Sequence, residues 1–234
     1  MIQQLSLGVR LRPASTFANY ARGDNGPVLA ALLGRTQGYS STPLWIWGPS
    51  GCGRTHLLQA ACAAAGTAQR RSAYLPLGQP EFGPQQLQGL ESLALVCLDD
   101  LGVVAERPEW QEALFELYLG LQEREGVLVM AAGVPPAGVA FPLADLASRL
   151  RAADVWQLRL LAEQDQGAAL TARAAVLGLA LPAETLTYLQ RRLPRDFAAL
   201  CSVLDVLDSA ALAAQRPLTV PFVRSVLDEI SSPR

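Results

Sequence analysis

Residues 44–47, LWIW, form a short apolar run that breaks into GPSGCGRT, residues 48–55. A run this short, bounded by glycine, reads as a strand buried on both faces. The loop after it has the spacing G-x-x-x-x-G-K-[ST], with Arg54 where the pattern asks for lysine. That spacing answers a physical demand. Backbone N–H groups must wrap a phosphate closely, and Gly48, Gly51 and Gly53 permit the approach and the unusual dihedrals. The helix that follows points the positive end of its dipole at the same anion. Arg54 brings its charge as a planar fork instead of a compact ammonium, and Thr55 has a hydroxyl to offer Mg2+. With the lysine missing, the same letters also describe a ligand-free strand-to-helix turn. Cys52 lies inside the loop at the helix start, a place that lowers a thiol pKa. It reads either as a small loop residue or as a redox-sensitive one.

Downstream, ALVCLDD (94–100) is an apolar run that ends in two carboxylates. Asp99 is suited to hold Mg2+ through water and Asp100 to polarise an attacking water. Alone, the segment is also an ordinary strand end with acidic turn residues. Loop and acidic strand end in this order point to a site for a nucleoside di- or triphosphate. The surrounding pattern gives a helix over 27–34 ending at Gly34, a loop over 38–43 and a helix from the glycine loop to about Ala65. Further strands are expected at 73–77, 94–98, 127–132 and 155–158. Pro108 opens a strong helix in which Trp110, Leu114, Leu117 and Leu121 recur at helical spacing. Short strands alternating with helices predict an α/β fold with a mostly parallel five-stranded sheet covered on both faces. Beyond Leu160 the periodicity is helical over 162–178, 182–193, 195–214 and 219–230, broken at Gly178, Pro194 and the Arg216-Pro217 step. The expected organisation is an extended arm over 1–12, an α/β domain over 13–160 and a small all-helical domain over 161–234.

Composition narrows the function. The 234 residues carry a formal net charge of -2, with 50% hydrophobic and 17% charged residues. That balance argues against a disordered chain and against a large non-specific DNA-binding surface. No apolar run reaches the ~18 residues a membrane-spanning helix needs. The start, MIQQLSLGVRLRP, lacks the basic-then-apolar order of a secretory leader, so the expected location is the cytoplasm. Cysteines 52, 62, 97 and 201 make no C-x-x-C pair, and His56 has no second histidine to work with. A zinc site or a histidine-based triad therefore lacks material. His56 by itself reads as a packing or helix-surface residue. All 19 basic residues are arginines, so any task that elsewhere falls to lysine falls to arginine here.

FANYARGDN (17–25), GPSGCGRTHLLQAACA (48–63), LVCLDDL (95–101), LADLASRL (143–150) and RPLTVPFV (216–223) follow one another along the chain. In these segments the sequence resembles the DnaA-related branch of AAA+ proteins, and within it the Hda-type regulatory inactivators of DnaA. The resemblance takes in essentially the whole chain, Arg54 and the adjacent His56 included. It implies an AAA+ domain and a helical lid, with ADP or ATP bound, and Mg2+ held at Thr55 and Asp99. It places Gly23, Asp24 and Asn25 in the box that packs near the adenine, where the residues alone equally describe a turn capping a helix. Gly48, Gly51, Cys52, Gly53, Arg54, Thr55, His56 and Arg195 complete the implied nucleotide-binding set. Arg149 matches the arginine finger, which enters a neighbouring subunit's nucleotide and stabilises charge on the transferring phosphoryl group. Alone, Arg149 is also an arginine complementing a helix end.

The sequence departs from the family pattern at two sensors. Ala131 stands where a polar residue is expected near the end of the fourth strand, and Ala198 where a second sensor arginine is expected. Arg195, one turn before Ala198, is the candidate substitute. With Arg54, these departures point away from efficient intrinsic ATP hydrolysis and toward a nucleotide held as a structural ligand. In the arm, Gln4, Leu5, Ser6 and Leu7 resemble the peptide by which replication proteins dock on the sliding clamp, the beta subunit of the polymerase. Alternating apolar side chains enter a groove while the glutamine anchors one end. Gly8 replaces the proline or bulky residue that usually follows, and the same letters also make a plain tail. The resemblance thus implies a negative regulator of replication initiation. It sits on the DNA-loaded clamp, meets DNA only through it, and presents Arg149 to ATP on the DnaA initiator. The neighbour that a trans-acting finger needs is either DnaA or a second copy of this chain. The alternative is an autonomous AAA+ ATPase, a helicase loader or remodelling factor, that uses Asp100 on its own ATP.

Overall fold

Five strands form one sheet: β1 (Leu44–Trp47), β2 (Ser72–Pro76), β3 (Leu95–Asp99), β4 (Val127–Ala132) and β5 (Asp154–Gln157). The order across the sheet is β2-β3-β4-β1-β5, and every neighbouring pair is parallel. The α/β class and the parallel five-stranded sheet are therefore those the alternating pattern predicts. The computed structural model describes residues 15–193 and 197–231, and the chain divides into two units between Leu160 and Leu161. Gln4, Leu5, Ser6, Leu7 and Arg195 lie outside the described residues, as does the side chain of Ala198.

The strand period of two sorts the first unit's core into two faces. Leu44, Ile46, Cys97, Val129 and Ala131 face one side, where Leu32 of α1 (Gly26–Thr36) and Leu57 and Leu58 of α2 (Arg54–Thr67) cover them. Trp45, Leu98, Met130 and Ala132 face the other. There Trp110, Leu114, Leu117 and Leu121 of α3 (Pro108–Glu123) pack with Leu146 and Leu150 of α4 (Ala144–Arg151). The four positions read at helical spacing in α3 are thus its buried stripe, with Pro108 pre-set for the first turn.

The first helix runs past Gly34, its expected end, to Thr36. A helical glycine costs only about 1 kcal/mol against alanine. The stop comes at Gly38, whose φ of +80° suits a C-terminal cap. The Tyr39 N–H then donates back to the Gly34 carbonyl at 2.9 Å. Among the described residues four short 3-10 turns, Pro84–Leu87, Leu90–Ser92, Leu101–Val103 and Pro136–Gly138, punctuate the connections and are too brief to leave a period in the sequence.

The second unit holds α5 (Glu163–Val176), α6 (Ala183–Arg192), α7 (Phe197–Ala214) and α8 (Val220–Ser231). Leu170, Leu189, Leu204, Leu207 and Val223 make its own core. Arg173 on α5 donates through Nη2 to both carboxylate oxygens of Asp205 on α7, at 2.7 and 3.0 Å. The buried hydroxyl of Thr185 donates to the Leu218 carbonyl at 2.8 Å, fixing the approach to α8.

Candidate functional site

Because β4 lies between β1 and β3, three strand ends come together: Gly48 after β1, Gly133 after β4, and Asp99 and Asp100 at the end of β3. In open α/β sheets ligands bind beyond the carboxyl ends of the strands, where these residues stand. The loop from Gly48 to Gly53 turns through left-handed backbone at Gly51 (φ +83°) and Gly53 (φ +92°), and Gly53 is the N-cap of α2. Among the described residues the amides of Gly51, Gly53 and Thr55 donate to no backbone carbonyl. They are free for an anion at the start of a 14-residue helix.

Two of the glycines answer to the protein as well as to a ligand. A Cβ at Gly53 would stand 2.5 Å from Tyr20 Cε2, and one at Gly48 would stand 2.5 Å from the Leu158 carbonyl oxygen. Tyr20 thus lies against the loop, and its hydroxyl donates to the Cys52 carbonyl at 2.9 Å. Burial pushes the Tyr20 hydroxyl's pKa up, which keeps it a donor. Cys52 itself is buried, and burial raises its thiol although Arg54 works in the opposite direction. Burial thus outweighs the lowering expected at a helix start.

Arg54 does not extend freely from the loop. Its Nη1 donates to the Gly48 carbonyl, and its Nη2 lies 3.6 Å from Asp100 Oδ1. On the way the guanidinium passes Gly133, where a Cβ would stand 4.0 Å from Nη1. Asp100 has φ +53°, a left-handed conformation that Asp adopts more readily than most residues. Asp99 is buried at 1% exposure. The Thr55 hydroxyl donates to its Oδ2 at 2.6 Å, the Tyr74 hydroxyl to the same oxygen at 3.0 Å, and the Asp100 N–H to Oδ1 at 3.0 Å. Burial raises the Asp99 carboxyl, and the two hydroxyls partly offset it. Ala131, at the expected sensor position, points into the core beside Ile46, and Gly133 follows it on the same face. Neither position offers a polar side-chain atom.

The GDN segment behaves differently from a simple cap. Asn25 is the N-cap of α1, yet its side chain makes no capping hydrogen bond. Its Nδ2 donates to Tyr20 Oη and to the Arg159 carbonyl, both at 3.0 Å, and its Oδ1 accepts from the Arg159 N–H at 2.8 Å. One amide therefore joins the start of α1, the loop-facing tyrosine and the chain just after β5. Asp24 meets Arg159 in an exposed ion pair at 3.6 Å. His56 Nε2 lies 2.9 Å from the Thr16 carbonyl, and its ring is 5.6 Å from that of Tyr20, behind the loop. Asn25→Ala removes three hydrogen bonds at a buried position and is expected to destabilise the first unit by about 1–3 kcal/mol. A lower midpoint of urea unfolding at unchanged slope is the result that checks it.

Arg149 stands apart from this cluster, exposed on the last turn of α4. Its guanidinium carbon lies 5.6 Å from the ring centre of Phe115 and 5.8 Å from that of Tyr118, both on α3. The structure thus brings Gly48, Gly51, Cys52, Gly53, Arg54, Thr55, Asp99 and Asp100 together, with Asn25 and His56 bracing the loop through Tyr20. Sequence reasoning missed Tyr20, Tyr74 and Arg159. A tyrosine among the buried positions of β2 was the one available signal, since a buried hydroxyl needs a partner.

Residues 163–227 match the family model described as the lid domain of Hda. The chain superposes on the crystal structure of domain III from the Thermotoga maritima replication initiation protein DnaA with a TM-score of 0.77 and 19% identity. That match covers 96% of this chain and 100% of the other. AMPPCP-bound DnaA from Aquifex aeolicus matches at 0.66 and 20% identity, over 85% of this chain and 66% of that one. The RuvB Holliday junction branch migration motor of Thermotoga maritima matches at 0.66 and 13% identity, over 93% and 72%. The first and second units together thus have the fold of DnaA's domain III, and the second unit is the part that the Hda lid model matches.

Proposed function

We propose that the protein binds an adenine nucleotide and switches off replication initiation by stimulating ATP hydrolysis on DnaA. Gln4, Leu5, Ser6 and Leu7 dock it on the DNA-loaded sliding clamp, and Arg149 enters DnaA's nucleotide site as the finger. The observation that carries the reading is the placement of Arg149. A finger acting in trans has to be exposed yet aimed, and Arg149 is exposed on a short helix with its guanidinium laid over two rings. The free amides of the loop and the start of α2 fit the phosphates of a nucleotide, and a solved structure of the same fold carries AMPPCP.

The test is phosphate release by DnaA, with and without this protein and a clamp loaded on DNA. Stimulation is expected only when both are present, and deletion of residues 1–8 is expected to abolish it. Stimulation that persists without the clamp or without the arm would remove the docking role from residues 4–7. The pair of carboxylates Asp99 and Asp100 at the end of β3 favours the alternative of an autonomous ATPase. Steady turnover by the protein alone, lost in Asp100→Asn, would replace the regulator reading with that one.

A further inference from the structure

The two carboxylates beside the loop are largely taken up by protein groups and are not free for a divalent cation. Mg2+ demands nearly octahedral oxygen ligands at about 2.0–2.1 Å, and nucleotide sites hold it through one or two carboxylates plus phosphates. Here both carboxylates already answer to protein groups. Asp99 Oδ2 accepts from the Thr55 and Tyr74 hydroxyls, and Oδ1 accepts from the Asp100 N–H. An ionised carboxylate has about four lone-pair positions, so Oδ2 is filled and Oδ1 is half filled. The Tyr74 hydroxyl takes the second acceptor position of Oδ2. Asp100, the other carboxylate, faces a cation already, the Arg54 guanidinium at 3.6 Å.

Arg54 also differs from a lysine in what it can do at once. A guanidinium is a fork with two separate edges. Nη1 is held by the Gly48 carbonyl, which fixes the group at the mouth of the loop, while Nη2 turns to Asp100. That second contact is loose, since charge-assisted N–H···O bonds lie at about 2.7–2.9 Å. The Asp100 side chain is 44% exposed, so water can take over its solvation when a stronger anion arrives.

We propose that this site binds the phosphates of its nucleotide without a divalent cation. Asp100 pairs with Arg54 Nη2 and yields it to a phosphate oxygen on nucleotide binding. Arg54 then supplies the counter-charge that Mg2+ supplies elsewhere, and Thr55 and Tyr74 remain on Asp99. The inference rests on the nucleotide reading above and concerns only how the phosphates are neutralised.

The experiment is equilibrium binding of mant-labelled ADP to the full chain, stripped of nucleotide, once in excess MgCl2 and once in EDTA. The two dissociation constants are expected to agree within about twofold. Arg54→Ala is expected to weaken binding by about tenfold or more in both buffers, and Asp100→Asn to tighten it in both, because the competing anion is gone. A loss of tenfold or more in EDTA overturns the proposal and leaves the nucleotide reading standing. EDTA-insensitive binding that Asp100→Asn leaves unchanged overturns the exchange of Asp100 for phosphate. No binding in either buffer overturns the nucleotide reading itself, and this proposal with it. Circular dichroism melts of both variants separate a folding defect from a binding one.

Discussion

An Arg149→Ala chain is expected to leave DnaA hydrolysing ATP at its unstimulated rate, even with the loaded clamp present. Arginine fingers supplied in trans account for about 10³–10⁵ in turnover, because they meet charge that develops on the transferring phosphoryl group. The loss should therefore be the whole of the stimulation. Arg149→Lys is expected to recover little of it, since a flexible point charge does not reproduce the planar fork. The fold should survive both changes. Arg149 is exposed, and its contacts with Phe115 and Tyr118 are each worth about 0.5–1 kcal/mol at such a site. Arg151 serves as the internal control. Two residues further along α4 it points to another side of the helix, and Arg151→Ala should stimulate as the parent does. Full stimulation by Arg149→Ala would take the finger away from this residue.

Trp45→Ala is expected to be the most damaging single change to stability, at about 3–5 kcal/mol. Trp45 is 0% exposed in the middle of β1, with its ring edge-on to Phe141 at 6.3 Å and 85°. Its indole N–H donates to the Val134 carbonyl at 3.1 Å, so truncation opens a cavity and leaves a carbonyl unpaired as well. The same strand delivers the chain to Gly48, and slack in β1 is slack in the phosphate loop. Trp45→Phe should cost less, since it restores most of the volume and forfeits the hydrogen bond. Urea unfolding of the three chains gives the order directly. A cost below about 1 kcal/mol for the alanine variant would mean that the core closes over the gap, against the usual behaviour of large-to-small changes.

What the sequence discloses and what it hides divide along physical lines. LWIWGPSGCGRT is legible because strand, loop and helix start leave their marks within a dozen neighbouring positions, and β4 is read to its exact ends, 127–132. The end of α1 is misread because glycine signals two things, a tolerated gap at Gly34 and a left-handed stop at Gly38, and only φ tells them apart. The long-range contacts leave no local mark at all. Asn25 looks like a capping residue in any window of its own sequence, while its partner Arg159 is 134 positions away. Tyr74 reads as one more apolar position of β2 until β3 is laid beside it and Asp99 arrives under its hydroxyl. The direction of Arg54 belongs to the same class. The loop pattern places a cation there, and the carboxylate that holds it depends on β4 standing between β1 and β3.

The presence of arginine in that position also decides how the site responds to chemical reagents. A guanidinium keeps its charge under any condition in which the protein is folded, whereas an amine can be acylated or deprotonated. Since the chain contains 19 basic side chains and every one is an arginine, amine-directed acylation leaves all of them untouched. A dicarbonyl such as phenylglyoxal is the reagent that reaches Arg54, and nucleotide should shield it from that reagent. The charge that Arg54 brings to the loop is thus a constant across the pH range in which the protein is folded.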